Sequence, residues 1–139
     1  MGTLEEYLRS CREGEVATRF GRDWVPQFVY WMIDEDGKAI GTVRIRPRLS
    51  ERLLQCGGHV GYYVQRSERG KGHAKAALRM ALEILAKMGV MRVLVTVDPA
   101  NAPSIAVALA NGGVQDGQGM NPENGRMANR YWIEPPKKV

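Results

Sequence analysis

Two segments in the first half of the chain carry the aromatic and β-branched residues typical of strands. Residues 27 to 34 form the first segment and residues 39 to 46 the second, and Asp36-Gly37 between them favours a tight turn. We therefore expect the two strands to form a β-hairpin.

The middle of the chain predicts a strand, a helix and a second strand. Residues 59 to 64 and residues 92 to 97 are the strand segments, and the second is a nearly continuous apolar run. Between them, apolar residues recur every three or four positions, at Ala74, Ala77, Leu78, Ala81, Leu82, Leu85 and Met88. Gly89 stands where a helix would end. The pattern indicates a βαβ unit whose two strands run parallel.

The last third of the chain predicts one more helix and one more hairpin. Pro103 suits the first turn of a helix, and Asn111-Gly112-Gly113 would end it. A hairpin around Asn124-Gly125 would place alternate residues on one face of its second strand, namely Asn129, Tyr131 and Ile133.

The composition is that of one ordinary α/β domain. The chain has 139 residues, of which 44% are hydrophobic, and no apolar run is long enough to span a membrane. Cys11 and Cys56 lack the spacing of a disulfide framework, and His59 and His73 have no metal-ligand partners at usable spacing. We expect a single domain over residues 1–139 that is cytoplasmic, contains no structural metal and has no membrane partner.

Three arginines at the end of the second strand share one face if that strand continues far enough. Arg44, Arg46 and Arg48 alternate with apolar residues there, and they form either a solvated face or a groove for an acidic substrate. The net charge of +5 favours an anionic partner without choosing one. Because exposed interleaved aromatics and a reading motif are missing, we expect no nucleic-acid partner.

The loop before the central helix carries the clearest chemical signal. It holds Gly70 and Gly72 among the basic residues Arg66, Arg69 and Lys71. Backbone N–H groups near such glycines, together with a helix N-terminus, bind phosphate well. The spacing matches neither the dinucleotide fingerprint nor the Walker loop. Taken alone, the segment could equally be a tight turn that eases the chain into the helix.

The segment Arg69-Gly70-Lys71-Gly72-His73-Ala74 resembles the pyrophosphate-binding signature of the GNAT superfamily of N-acetyltransferases. Asn101-Ala102-Pro103-Ser104 resembles the family's next helix start, and the likeness covers roughly residues 24 to 133. A bacterial subgroup of predicted acetyltransferases is similar at four segments: Trp24-Val25-Pro26, Gly41-Thr42-Val43-Arg44, Gly57-Gly58-His59-Val60-Gly61-Tyr62 and Arg130-Tyr131-Trp132-Ile133.

This resemblance implies a mixed, mostly antiparallel central sheet in which the strands ending at Val64 and Val97 splay apart. It also implies acetyl-CoA as the cofactor. The pantetheine arm would pair with the backbone of Tyr62, Tyr63 and Val64 and approach Asn101 and Ser104, although both of these could simply cap a helix. The pyrophosphate would contact the signature residues Arg69, Gly70, Lys71, Gly72, His73 and Ala74.

The proton-transfer residues do not follow the family pattern. The resemblance places the usual tyrosine acid at position 108, where this chain has Ala108. Tyr131 and Tyr63 are alternatives by residue type, although an aromatic with its hydroxyl bonded in the core is the commoner role for either. The resemblance places a base near His59, whose imidazole could also be a hydrogen-bonded structural group. Asp98 is the second candidate base, or a turn residue.

The resemblance also implies more secondary structure at the start of the domain than this chain has. Leu4 and Leu8 predict a helix over residues 3 to 12, so residues 1–23 would form a partial N-terminal helical region, and residues 134–139 a short tail. A shortened start would leave a sheet edge open for a homodimer. The function implied is transfer of acetyl to a primary amine of a small molecule. The alternative is a non-catalytic module that binds acyl-CoA.

Overall fold

The computed structural model describes residues 15–18 and 25–135. Seven strands and three helices lie in this part of the chain, and the helices have five, fifteen and nine residues in chain order. The strands are β1 (Glu15–Thr18), β2 (Val25–Ile33), β3 (Ala39–Ile45), β4 (Val60–Val64), β5 (Val93–Val97), β6 (Val114–Met120) and β7 (Met127–Ile133). The helices are α1 (Glu51–Gln55), α2 (His73–Lys87) and α3 (Ala102–Ala110), and a 3-10 turn spans Arg66–Glu68.

The first sheet has the strand order β1-β2-β3-β4 and is antiparallel throughout. The predicted hairpin is confirmed as β2 and β3, with Phe28 opposite Ile45. Its turn is stabilised by the Asp34 carboxylate, which accepts hydrogen bonds from the backbone N–H of Asp36 and of Lys38, both at 2.9 Å. Asp34 thus closes the turn by the local side-chain bonding that favours aspartate in such positions.

The second sheet has the order β5-β7-β6 and is also antiparallel. The hairpin predicted around Asn124-Gly125 is confirmed as β6 and β7. Asn129, Tyr131 and Ile133 are buried as the alternation predicts, whereas Arg130 and Trp132 are only half-buried. The buried face of β7 therefore lies against the core.

Helix α2 follows the predicted periodicity except at Met88, which is its C-cap and is 41% exposed, and it supplies the centre of the core. It begins after Gly72 and ends at Lys87, and its fully buried apolar residues are Ala77, Leu78, Ala81, Leu82 and Leu85. They share one cluster with residues of both sheets, including Val43, Val64, Val95 and Tyr131. Burying one large apolar side chain stabilises a fold by about 1.5–3 kcal/mol, so this face fixes the position of the start of α2.

The predicted single central sheet is replaced by two sheets that meet between β4 and β5. The N–H of His59, just before β4, donates to the carbonyl oxygen of Leu94 at 2.8 Å. All strand ladders among residues 15–18 and 25–135 are antiparallel, so the expected parallel pair of β4 and β5 stays a prediction.

Strand β1 and helix α1 were not predicted from the sequence. They have only four and five residues, which is too short for periodicity to be read. The Ser50 side chain caps α1 by accepting from the N–H of Leu53. The helix predicted over residues 3 to 12 and residues 136–139 of the predicted tail lie outside the described residues.

None of the helices among the described residues is both long enough and apolar enough to cross a bilayer. No group of three or more histidine, cysteine or acidic residues in ranges 15–18 and 25–135 is placed to hold a metal ion.

Candidate functional site

A cavity of about 590 Å³ opens where β4, the loop after it, and the first turns of α2 and α3 converge. Its volume lies in the usual range for small-molecule sites. Fourteen residues line it: Tyr62, Tyr63, Val64, Glu68, Arg69, Gly70, Gly72, His73, Ala74, Lys75, Asn101, Pro103, Ser104 and Val107. The predicted cofactor-binding residues therefore lie together around this cavity, with the exception of Lys71.

The two glycines of the loop adopt backbone conformations that other residues rarely reach. The φ angles are +80° at Gly70 and +85° at Gly72, and nothing lies within 4 Å of where a Cβ atom would be. Gly72 is the N-cap of α2, and it offers no side chain to bond the first N–H groups of the helix. The first turn of α2 also contains no acidic residue. These donors can therefore bind an anion in the cavity.

Arg69 connects the loop to the end of β4. Its Nε donates to the carbonyl oxygen of Val64 at 2.8 Å, and its guanidinium carbon lies 5.3 Å from the centre of the Tyr63 ring. The Tyr63 side chain is 57% exposed, so the pair forms part of the outer wall of the site. Arg69 thus places a permanent positive charge at the cavity while holding the loop in position.

Glu68 introduces a negative charge that the sequence analysis did not include in the site. Its Oε1 lies 3.2 Å from the Lys71 Nζ and 3.8 Å from the His73 Nε2. Lys71 therefore pairs with a lining residue but does not itself line the cavity. The other unpredicted lining residues are Lys75, Pro103 and Val107. Pro103 and Val107 lie four positions apart on α3, so helical spacing would have revealed them.

Tyr62 and Ser104 bring two hydroxyl groups together in the cavity wall. The oxygen atoms are 2.7 Å apart, which joins β4 to the first turn of α3. Burial raises the pKa of the Tyr62 phenol, and the hydrogen bond to Ser104 lowers it in part. The backbone N–H of Ser104 donates to the Asn101 Oδ1 at 3.2 Å, so Asn101 caps α3 as well as lining the cavity.

His59 is held by the backbone of the neighbouring sheet and does not line the cavity. Its side chain is only 7% exposed, and its Nδ1 accepts a hydrogen bond from the N–H of Leu94 at 2.8 Å. Burial, and secondarily the charge of Arg46, lower the pKa of His59 to about 4. The imidazole is consequently neutral at pH 7 and a weak base.

The other two candidate catalytic residues also lie outside the cavity lining. The Asp98 carboxylate accepts from the N–H of Ala100 at 2.8 Å and lies 3.6 Å from the Arg126 guanidinium. Tyr131 is 2% exposed, and its hydroxyl oxygen accepts from the Asn129 Nδ2 at 3.2 Å. Each therefore has a local structural partner in the fold.

The three arginines that were expected on one strand face do not act as a set. Strand β3 ends at Ile45, and Arg44 and Arg48 are exposed. Arg46 is half-buried, and it donates to Gln27 at 3.0 Å and to the carbonyl oxygen of Gly58 at 3.0 Å. It thus holds the loop before β4, and the described residues form no arginine groove here.

The family model for the GNAT acetyltransferase family matches residues 3–112, which is more than half of the chain. The chain belongs to this family. A comparison with curated proteins yields no match.

Solved structures of GNAT acetyltransferases share this fold. The ribosomal-protein-S5-alanine acetyltransferase of Vibrio fischeri is 22% identical, with a TM-score of 0.65 over 80% of this chain and 63% of its own. RimJ of Mycobacterium smegmatis, in complex with CoA-disulfide, is 25% identical, with a TM-score of 0.63 over 78% and 53%. A spermidine N-acetyltransferase SpeG chimera from Vibrio cholerae and hSSAT is 18% identical, with a TM-score of 0.60 over 78% and 66%. The chain spans less than two thirds of the length of these structures.

Within this GNAT domain, Ala108 is completely buried. Its carbonyl oxygen accepts from the N–H of Gly113 at 2.9 Å, and a Cβ atom on Gly113 would lie 2.8 Å from that oxygen. The segment after α3 therefore packs closely on this residue. A tyrosine acid at position 108, which the family resemblance implied, is replaced by a small core residue.

Proposed function

We propose that the protein transfers an acetyl group from acetyl-CoA to a primary amine of a small molecule. The observation that carries this proposal is the convergence of the predicted cofactor residues on one cavity, with the open N-terminus of α2 at one end and the Tyr62–Ser104 hydroxyl pair in its wall. The family membership supports the same reaction.

The residues of the cavity fit the chemistry of coenzyme A. Gly70, Gly72 and Arg69 offer backbone donors and a positive charge to a pyrophosphate. Val64, Ala74, Pro103 and Val107 add apolar surface for the pantetheine arm, in the manner of mixed small-molecule sites. In this proposal the ends of β4 and β5 splay apart, and the backbone from Tyr62 to Val64 binds the arm.

When bound, acetyl-CoA supplies an activated thioester to the site. The loop and α2 would bind and orient it, and the walls of the cavity would shield its reactive end from water. The positive end of α2 would stabilise the charge of the phosphates.

A non-catalytic module that binds acyl-CoA is the second candidate function. Ala108 carries no hydroxyl, and His59, Asp98 and Tyr131 are each bonded elsewhere in the fold. Such a module would keep the cavity and lack the proton-transfer groups.

A protein amine is the second candidate acceptor, because structural relatives include both ribosomal-protein and spermidine acetyltransferases.

Two measurements test these functions in sequence. Acetyl-CoA at 100 times its dissociation constant is expected to stabilise the fold by about 2.7 kcal/mol in thermal unfolding. No shift would contradict the cofactor assignment. Release of free thiol from acetyl-CoA is then measured with polyamines, amino acids, aminoglycosides and peptide N-termini. Thiol release with one amine class supports the enzyme, and binding without release across the panel supports the module.

Homodimer formation remains part of the proposal. Strand β6 ends the second sheet and carries exposed apolar residues, with Val114 69% and Met120 49% exposed. Such an edge can pair with a second copy. Light scattering at high protein concentration is expected to give twice the monomer mass, and a monomeric mass would contradict the dimer.

A further inference from the structure

Tyr62 is distinguished from the other phenol in the cavity by its environment. Tyr63, the next residue on β4, is mostly exposed and lies under the Arg69 guanidinium. Tyr62 is half-buried, and its hydroxyl oxygen lies 2.7 Å from the Ser104 Oγ. The cavity therefore contains one phenol whose hydroxyl is both sheltered and held in a fixed direction.

The Ser104 hydroxyl, which is the partner of Tyr62, is not needed to cap α3. Asn101 already caps α3 through its side-chain oxygen, which accepts from the N–H of Ser104. The Ser104 hydroxyl is left to bond Tyr62, across 42 positions of sequence. Helix capping therefore does not explain this hydroxyl pair.

We propose that Tyr62 is the catalytic acid of the acetyl transfer and that Ser104 is the residue that positions it. This inference rests on the proposed function. The bond between the amine nitrogen and the acetyl carbon forms, the carbon–sulfur bond breaks, and its electron pair goes to sulfur. The Tyr62 hydroxyl gives its proton to that sulfur. The nitrogen releases a proton to solvent, and a solvent proton returns to the Tyr62 oxygen through the Ser104 hydroxyl.

The electrostatics of the cavity agree with this role. Burial raises the pKa of Tyr62 above its ordinary value, so the phenol keeps its proton throughout the neutral range. The ionisable groups that line the same cavity are Glu68, Arg69, His73, Lys75 and Tyr63. Ala108 has no proton to donate, Tyr131 is outside the cavity lining and Tyr63 is 57% exposed, so Tyr62 is the sheltered phenol in this cavity.

The first experiment compares Tyr62→Phe with the wild type and with Tyr30→Phe, which removes a phenol from β2 away from the cavity. Loss of a general acid lowers turnover by roughly 100-fold to 10,000-fold, and we expect that loss for Tyr62→Phe with CoA affinity changed by less than about threefold. Tyr30→Phe should keep both values. Wild-type turnover in Tyr62→Phe, or an equal loss of turnover and CoA affinity, would overturn the inference.

The second experiment does not depend on activity. The Tyr62 phenol is titrated by NMR with ¹³Cζ-labelled tyrosine, and its signal is assigned by its loss in Tyr62→Phe. Because the bond to Ser104 lowers the pKa of Tyr62, Ser104→Ala should raise that pKa, and Ser104→Thr should return it towards the wild-type value. An unchanged titration in Ser104→Ala would overturn the positioning role.

The two proposals fail differently. If the wild type binds CoA but releases no thiol with any amine, the proposed enzyme is wrong and the acid assignment falls with it. If the wild type turns over and Tyr62→Phe equals it, the proposed function stands and the acid assignment alone is wrong.

Discussion

His59 and Leu94 exchange two hydrogen bonds across the junction of the two sheets. The N–H of His59 donates to the Leu94 carbonyl oxygen, and the N–H of Leu94 donates to the His59 Nδ1, both at 2.8 Å. An Nδ1 that accepts a hydrogen bond carries no proton. The bond to the His59 Nδ1 therefore forms only while the imidazole is neutral, whereas the backbone bond from His59 to Leu94 does not depend on its charge.

The first prediction concerns the pH dependence of stability. The pKa of His59 is about 4 in the folded chain and about 6.5 in the unfolded one, so the unfolded chain binds more protons between these values. The contribution of His59 is complete above about pH 6.5 and is lost as the pH falls towards 4, by up to about 3 kcal/mol. Urea unfolding at pH 7.5, 5.5 and 4 measures the loss.

His59→Asn is the matched control for this prediction. Its Oδ1 can accept from the N–H of Leu94, yet the amide does not titrate. We expect the variant to lose less stability than the wild type between pH 7.5 and 4. Equal losses in the two proteins would show that another group causes the pH dependence.

His59 also shows what the sequence could not reveal about the site. Its residue type and position suggested a base, but its partner lies 35 positions away, and the bond depends on how two sheets meet. Asp98 has the same difficulty, because its ion-pair partner Arg126 lies 28 positions away. Tyr131 differs, since its partner Asn129 lies two positions away on the same strand face that the alternation predicted.

Local patterns predicted the elements around the cavity much better. The spacing of alanine and leucine predicted α2, and the two glycines before it have the positive φ angles that suit a tight loop at the start of a helix. Glu68 was missed because its place in the cavity comes from a 3-10 turn that no periodicity marks.

The second prediction tests the glycine at the start of α2. Gly72→Ala puts a Cβ atom on a residue with φ of +85°, which costs about 1–2 kcal/mol of stability or shifts the loop. We expect CoA affinity to fall by at least about fivefold, equivalent to about 1 kcal/mol. Isothermal titration calorimetry measures the affinity.

Gly37→Ala serves as the control for backbone strain. Gly37 has nearly the same φ of +84°, has nothing within 4 Å of its Cβ position, and lies in the β2–β3 turn away from the cavity. Gly37→Ala should lose about as much stability as Gly72→Ala and should keep the CoA affinity of the wild type. Equal affinity losses in both variants would remove the special role of Gly72.

The third prediction concerns the acidic residue in the cavity. Glu68→Gln removes a negative charge from the lining and leaves Lys71 available to a phosphate. The Glu68 carboxylate repels the negatively charged phosphates of CoA. The variant should therefore bind CoA about twofold to tenfold more tightly at low salt, and the gain in affinity should be smaller at high salt. Glu83→Gln on the outer face of α2 removes the same charge outside the lining and should leave the affinity unchanged. Weaker binding by Glu68→Gln would mean that its bonds to the loop matter more than its charge.

The fourth prediction tests whether a tyrosine can be returned to position 108. Ala108 is completely buried against the segment that follows α3, so Ala108→Tyr must force a ring into packed core and should cost about 1–3 kcal/mol or more. Ala110→Tyr adds the same ring at an exposed position of the same helix and should change stability by less than about 0.5 kcal/mol. Urea unfolding compares the two. If Ala108→Tyr kept full stability and also raised turnover, the site would have room for the family's acid, and the argument that Tyr62 takes its place would be weakened.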